Sequence, residues 1–116
     1  MTTLINYIEI LVLDMATAQA FYGDLFGWQF TNYGSGYAAI DNAGIDGGFD
    51  LVDKIDGSGT RVILHSQTLE QDFAKVSAYG ATITREIYSF PGGRRFEFDD
   101  PFGNPLAIWT ASTETN

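Results

Sequence analysis

Acid–base and ion-pair chemistry in this sequence rests on very few side chains. The 116 residues include one histidine, His65, and six basic residues against 15 acidic ones, a net charge of −9. There is no cysteine, which excludes disulfides, zinc–thiolate sites and a cysteine nucleophile. A histidine is the side chain whose type suits general acid or base work near neutral pH, which makes His65 a candidate for that role. The plainer role is a polar residue hydrogen-bonded to a neighbour, since no Ser or Asp stands around it in a recognisable triad pattern. Arg61, four residues earlier in "TRVILHS", can hold a carboxylate or another anionic group of a ligand through its planar set of donors. It can equally form an internal ion pair with Glu9 of "LINYIEILVL" that serves architecture. Glu9, His65 and Asp46 would make an irregular metal site if they converged. The aromatic candidates are Tyr7, Tyr37, Phe49, Phe96 and Trp109, able to stack a flat ligand or to fill the core. Core is the plainer role for the two phenylalanines.

The totals narrow the function class. A chain of this length fits one domain, 1–116, and 45% hydrophobic with 15% aromatic residues is enough for a real core. The acidic balance argues against a nucleic-acid partner, which needs a positive face. No apolar run reaches the roughly 20 residues needed to span a membrane. The opening "MTTLINYIEI" shows neither a basic n-region nor a small-residue cleavage site, so no secretory signal is expected and a cytoplasmic location is the default.

The elements that must position these side chains follow one plan twice. "LINYIEILVL", Leu4 to Leu13, reads as a strand; Asp14 is a helix N-cap; "MATAQAFYGDLF" carries Ala18, Phe21, Tyr22 and Leu25 at helical spacing; Gly27 closes the helix. "TRVILHS", Thr60 to Ser66, reads as the next strand. Thr68 and Gln71 have the spacing of a capping box, Leu69, Phe73, Val76 and Gly80 share one stripe, and Gly80 closes. The offset from Gly27 to Gly80 equals that from Asp14 to Gln67, which suggests an internal duplication. Three short strands follow each helix: Trp28–Tyr33, Gly36–Asp41 and Ile45–Val52, then Ala81–Tyr88, Arg95–Asp99 and Pro105–Ala111. Asn42–Gly44, Pro91–Gly93 and Asp100–Asn104 supply turns, and Asp53–Gly59 links the halves. The expected fold is α+β: two tandem βαβββ units, about 4–53 and 58–112. Alternation then puts Ile8, Ile10 and Val12 on the helix side of the first strand and Tyr7, Glu9 and Leu11 on the other. In the second leading strand Val62 and Leu64 face the helix, and Arg61, Ile63 and His65 the opposite side.

Two anchors carry a family resemblance. "YIEILVLDMATAQAFYGDLFGW" has the Asp14…Phe21-Tyr22…Phe26-Gly27-Trp28 pattern, and "FDDPFGNPLAIW" has an Asp-Pro-x-Gly-Asn turn before the last strand. With two βαβββ units around them, the chain resembles the vicinal oxygen chelate superfamily, which includes glyoxalase I, extradiol dioxygenases, fosfomycin-resistance enzymes and bleomycin-resistance proteins. The resemblance implies curved sheets around a cup with helices outside, and in many members a homodimer. Metal-using members place His or Glu ligands on cup-facing strands.

The same resemblance locates those ligand positions. The first lies seven residues before the capping aspartate and is Tyr7. The second, on the leading strand of the other half, is Arg61, which offers only donors and cannot serve as an ordinary metal ligand. The last, on the strand after the Asp-Pro turn, is Ala107, with Trp109 next along the same face. The fourth would come from "IDGGFDL", whose register the sequence leaves open and whose acids are Asp46 and Asp50. A metal is therefore not expected, nor any other cofactor.

The expected function is a homodimeric, metal-independent protein that binds an unidentified small molecule, partly aromatic or anionic, with no nucleic-acid or membrane partner. Its candidate ligand-binding residues are Tyr7, Glu9, Tyr37, Phe49, Arg61, His65, Ala107 and Trp109; no catalytic residue is assigned. The alternative is a glyoxalase-like lyase or isomerase, with an irregular metal site or with metal-free acid–base chemistry on His65 or Glu9. A third reading is an interaction subunit with a vestigial cup. "SFPGGRRF", Ser89 to Phe96, is either a lid carrying anion-binding charge or a solvated hairpin tip; "DGGFD" lacks phosphate-loop spacing.

Overall fold

A computed structural model describes residues 2–112 of the chain. Its elements run β1 (Leu4–Val12), α1 (Met15–Phe26), β2 (Gln29–Asn32), β3 (Tyr37–Asp41), β4 (Gly47–Leu51), β5 (Thr60–His65), α2 (Leu69–Tyr79), β6 (Thr82–Phe90), β7 (Gly93–Asp99) and β8 (Pro105–Ala111). The mixed α+β class and the repeated βαβββ plan are as the sequence reads. None of the described helices is long and apolar enough to cross a membrane.

The chain divides into two compact units: an N-terminal unit, residues 7–61, and a C-terminal unit, residues 62–112 with 2–6. These limits differ from the halves read off the sequence. The linker belongs with the N-terminal unit because the Leu11 N–H donates to the Gly59 carbonyl at 2.7 Å. The first residues belong with the C-terminal unit, where the Trp109 indole N–H donates to Asn6 Oδ1 at 3.1 Å.

Each unit solves its topology in the same way. Strands of the N-terminal unit are ordered β2-β3-β4-β1, and those of the C-terminal unit β6-β7-β8-β5. In each, the leading strand pairs parallel with the last one, and the other pairs are antiparallel. A parallel pair needs a long crossover, and here the helix and two further strands supply it. This match of topology supports the duplication inferred from spacing.

One apolar cluster lies under each helix. In the N-terminal unit Val12, Ile40 and Phe49 are packed by Ile10, Met15, Ala18, Tyr22, Trp28 and Phe30. The helix stripe that packs inward is thus Met15, Ala18 and Tyr22. Phe21 and Leu25 point outward, 55% and 61% exposed, because they lie one position round from that stripe. In the C-terminal unit Leu69, Phe96 and Ile108 are packed by Leu64, Phe73, Val76, Ile83, Ile87 and Phe98. Leu69, Phe73 and Val76 form the inward stripe, and Asp72 is buried beside it.

Local capping explains where the helices start and stop. Asp14 accepts from the Thr17 N–H at 2.8 Å. Gly27 and Gly80 end the two helices in the left-handed region, φ 75° and 97°, which glycine enters without steric cost. The capping box expected at Thr68 and Gln71 does not form: Thr68 is the N-cap but makes no side-chain capping bond. Its own N–H is instead bound by the Ser66 hydroxyl at 2.9 Å. The second N-cap therefore stands one residue later than the duplication offset to Gln67 places it.

The turn before β8 is built on Asp100. Its carboxylate accepts from the N–H groups of Phe102 and Asn104 and from the Asn104 amide, at 2.8 to 2.9 Å. The bonds from Asn104 hold the Asp100 carboxyl below its ordinary value, and the Thr17 N–H does the same for Asp14. A carboxyl whose folded value is depressed adds stability above its unfolded value, near pH 4, and that stability is lost as pH falls through the folded value. Thermal stability is therefore expected to fall with acidification below about pH 4. An Asp14→Ala, Asp100→Ala double variant is expected to be less stable at pH 7 and to lose less on acidification. Melting curves from pH 7 to pH 2.5 on both proteins check this, and parallel curves would contradict it.

Candidate functional site

The polar face of the N-terminal unit is set by strand register. Glu9 on β1 lies opposite Gly48 on β4, Gly48 opposite Ala39 on β3, and Asp50 opposite Tyr37. Cross-strand partners point to the same side of a sheet, so Tyr7, Glu9, Gly48, Asp50 and Tyr37 share one face. The opposite face carries Ile10, Val12 and Phe49 into the core under α1. Register thus settles the strand that the sequence left open: the residues of "IDGGFDL" on the face of Tyr7 and Glu9 are Gly48 and Asp50.

Glu9 is the centre of this face. It is 1% exposed, and a carboxylate so far from water requires partners. The Arg61 guanidinium bonds to Glu9 Oε1. The Tyr37 hydroxyl donates to Glu9 Oε2 at 3.1 Å, and the hydroxyls of Tyr7 and Tyr37 are 2.7 Å apart. Arg61 also stands 3.6 Å from the Asp50 carboxylate, which is one-third exposed. Arg61 is therefore engaged by two carboxylates of its own unit, and the internal ion pair is the arrangement the structure adopts. Burial first, and then the Glu9 charge, push the Tyr37 phenol far above its ordinary value, so it keeps its proton.

Proton counting fixes the direction of this chain. Tyr37 has one proton and gives it to Glu9, so between the two tyrosines it is Tyr7 that donates. The Tyr7 oxygen can then only accept from any further group. Gly48 makes the arrangement possible. A Cβ there would collide with the hydroxyls of both Tyr37 and Tyr7.

The C-terminal unit has a polar face of its own. Arg95 on β7 lies between Tyr88 on β6 and Trp109 on β8, Glu97 lies opposite Ala107, and Trp109 lies opposite His65 on β5. Arg95 donates through Nε to the Tyr88 hydroxyl and through Nη2 to Glu97 Oε2 at 3.0 Å; Tyr88 donates to the same carboxylate oxygen. Burial, then the bond to Glu97, push the Tyr88 phenol up to about 12, against the pull of Arg95 and Arg85. His65 meets the half-buried Trp109 edge to face, with ring centroids 5.1 Å apart.

Of the residues expected to bind a ligand, Tyr7, Glu9, Tyr37 and Arg61 come together in the N-terminal unit, and His65 and Trp109 in the C-terminal unit. Phe49 and Ala107 are both fully buried and offer no surface to a ligand. Phe49 packs among Tyr22 and Phe30, and Ala107 sits between Ile63 and Glu97 in the sheet. Phe96 is likewise core. Among the described residues no three His, Cys, Asp or Glu side chains are grouped to hold a metal ion, and the Glu9, His65, Asp46 set does not form one. The "SFPGGRRF" segment is a hairpin whose strands reach Phe90 and resume at Gly93. Its two arginines part to opposite faces, Arg94 to Glu70 of α2 and Arg95 to Tyr88 and Glu97.

The Tyr88–Arg95–Glu97 network was not singled out from the sequence. Its signal was the Pro91-Gly92 turn: counting back from Phe90 and forward from Gly93 pairs Tyr88 with Arg95, and Glu97 follows two residues on.

Two substitutions test the N-terminal face. Arg61→Ala leaves the Glu9 carboxylate buried without its cation and is expected to cost about 3–5 kcal/mol. Urea unfolding measures it; a loss under about 1 kcal/mol would mean that the pair is not desolvated. Gly48→Ala drives the two tyrosine hydroxyls off their positions and is expected to cost about 1–3 kcal/mol. The same titration checks this cost, and unchanged stability would count against the close approach.

The comparisons with known proteins agree on the fold. Residues 4–108 match the model of the Glyoxalase/Bleomycin resistance protein/Dioxygenase superfamily. A member of that superfamily from Vibrio splendidus 12B01 superposes with a TM-score of 0.70 at 17% identity, over 94% of this chain and 99% of that one. Methylmalonyl-CoA epimerase from Mycobacterium tuberculosis gives 0.68 at 14% identity, over 93% and 87% of the two chains. The Mn(II)-bound glyoxalase from Novosphingobium aromaticivorans gives 0.65 at 22% identity, over 91% of this chain and 38% of that one. At such identities the likeness is one of fold alone. No curated protein matches the chain by sequence. With a family model covering nearly the whole of its two βαβββ units, the chain belongs to the glyoxalase/bleomycin resistance protein/dioxygenase superfamily.

Proposed function

We propose that this superfamily member binds a small molecule directly on the polar face of its N-terminal unit, without a divalent metal. One observation carries the reading: Arg61 stands where the superfamily resemblance implies a metal ligand, and its guanidinium is bonded to the buried Glu9. A permanently protonated group cannot donate an electron pair to a metal, and its charge would repel one. Glu9 has given its two oxygens to Arg61 and Tyr37. The donor set therefore does not fit a metal of the superfamily type.

The ligand chemistry differs from the anionic one that Arg61 suggests in the sequence. Two carboxylates face one guanidinium, so the cluster of Glu9, Asp50 and Arg61 is net negative. Its most exposed charged group is the Asp50 carboxylate, an acceptor. It suits a ligand that presents N–H donors, a protonated amine above all. The lyase or isomerase reading has less support on this face, because Glu9 is bonded to Arg61 and Tyr37 keeps its proton; His65, the other residue that reading names, packs edge to face on Trp109 in the C-terminal unit.

Elemental analysis of protein purified without chelator is expected to find no stoichiometric metal. Stoichiometric manganese, nickel, zinc or iron that is lost on Tyr7→Phe or Glu9→Gln substitution would overturn the metal-free reading. Calorimetric titration with benzylamine is expected to show binding that Asp50→Asn weakens about fivefold. Equal affinity in the variant would remove the amine reading.

A further inference from the structure

The outer face of α1 is apolar where that of a surface helix is ordinarily charged or polar. Its exposed residues form two rows at four-residue spacing, Ala16, Ala20 and Asp24 in one and Thr17, Phe21 and Leu25 in the next. Asp24 is the only charged side chain in the helix. The duplicate helix α2 shows what the same position takes when water covers it. Counted from the two N-caps, Asp14 and Thr68, the matching residues are Glu70, Ala74 and Ala78, then Gln71, Lys75 and Tyr79, all exposed. A lysine of α2 thus stands where α1 has Phe21. Large apolar side chains exposed one turn apart, on a face with a single charge, mark a contact surface.

We propose that the outer face of α1 is a self-association surface, on which a second copy of this chain seats its own α1 antiparallel to the first. Side-chain size is self-complementary in that arrangement. The small residues Ala16, Thr17 and Ala20 occupy the first half of the face, and the large ones, Phe21 and Leu25, the second. Antiparallel pairing about a two-fold axis between positions 20 and 21 sets Phe21 on the partner's Ala20 and Leu25 on the partner's Ala16, large against small each time. Charge selects the same arrangement. Two copies of net charge −9 repel on approach, and this face brings one charge from each. A parallel pair would set Asp24 against Asp24. The antiparallel pair keeps these carboxylates about 10 Å apart along the helix axes and sets each beside the partner's Thr17, whose hydroxyl can donate to it. A helix that rests on a lipid surface carries lysine or arginine beside its apolar face, and α1 has neither.

The contact is confined to one helix of 12 residues, at the low end of interface sizes, so a dimer of micromolar affinity is expected. Sedimentation of the whole protein between about 1 and 500 μM measures it. Phe21→Glu is expected to weaken association at least about tenfold, whereas Gln71→Glu, which adds the same charge on the outer face of α2, is expected to leave it unchanged. Leu25→Glu repeats the test should Phe21→Glu lose its far-UV circular dichroism. The chain has no cysteine, so single cysteines report the geometry without background. On oxidation Ala20→Cys, beside the axis, is expected to crosslink to its partner, and Thr17→Cys, about 10 Å along the helix from its counterpart, is not. A protein that stays monomeric throughout this range would overturn the proposal, including one that instead floats with phosphatidylcholine vesicles. So would a dimer that both glutamate variants leave intact, a dimer that Gln71→Glu weakens equally, or crosslinking of Thr17→Cys as readily as Ala20→Cys.

Discussion

A carboxylate almost wholly withdrawn from water sits at the centre of the N-terminal unit, and much of that unit's polar design answers it. Glu9 is 1% exposed, and its burial is tolerable only because each oxygen has a donor. Arg61 must come from the far end of the unit to supply the charge. Tyr37 must come from β3 to supply a proton. Tyr7 then completes the chain above a strand residue that has no side chain. Each of these demands is geometric, and each restricts what residue can stand where. The choice of glycine at 48 belongs to this logic as much as the choice of arginine at 61.

The C-terminal unit meets a related demand with different strands. Its carboxylate, Glu97, is answered by Arg95 two residues away on the same strand and by Tyr88 on the next. The N-terminal cluster draws on strands at both ends of its unit, whereas this one is confined to a hairpin. The topology is duplicated and the polar chemistry is alike in kind, but the residues do not correspond position by position. That is consistent with a fold that tolerates change on its polar faces while the apolar clusters beneath the helices keep their form.

Much of the fold was legible in the sequence because its signals are local. Asp14 caps its helix through a bond to a residue three positions on. Gly27 and Gly80 end helices through their own backbone angles. Asp100 organises a turn within four residues. The alternation of Tyr7, Glu9 and Leu11 against Ile8, Ile10 and Val12 is a property of any strand. Where the local reading went astray, the cause was a competing partner nearby. Thr68 caps without its side chain while Ser66 takes its N–H, and Phe21 and Leu25 lie just beside the helix stripe that meets the core.

The candidate site was legible only in its membership. The sequence by itself determined that Tyr7, Glu9 and Arg61 stand on strand faces away from the helices, and that the expected ligand positions hold tyrosine, arginine and alanine. Only the tertiary structure decided that Arg61 turns to Glu9 and Asp50, that Tyr37 reaches Glu9 across 28 positions of chain, and that Phe49 and Ala107 are sealed from any ligand. The physical reason is that pairing partners are chosen laterally. A strand's own residues set which way each side chain points. The neighbour it meets depends on strand order and register, which are fixed by the burial of whole sheets and not by any one stretch of sequence.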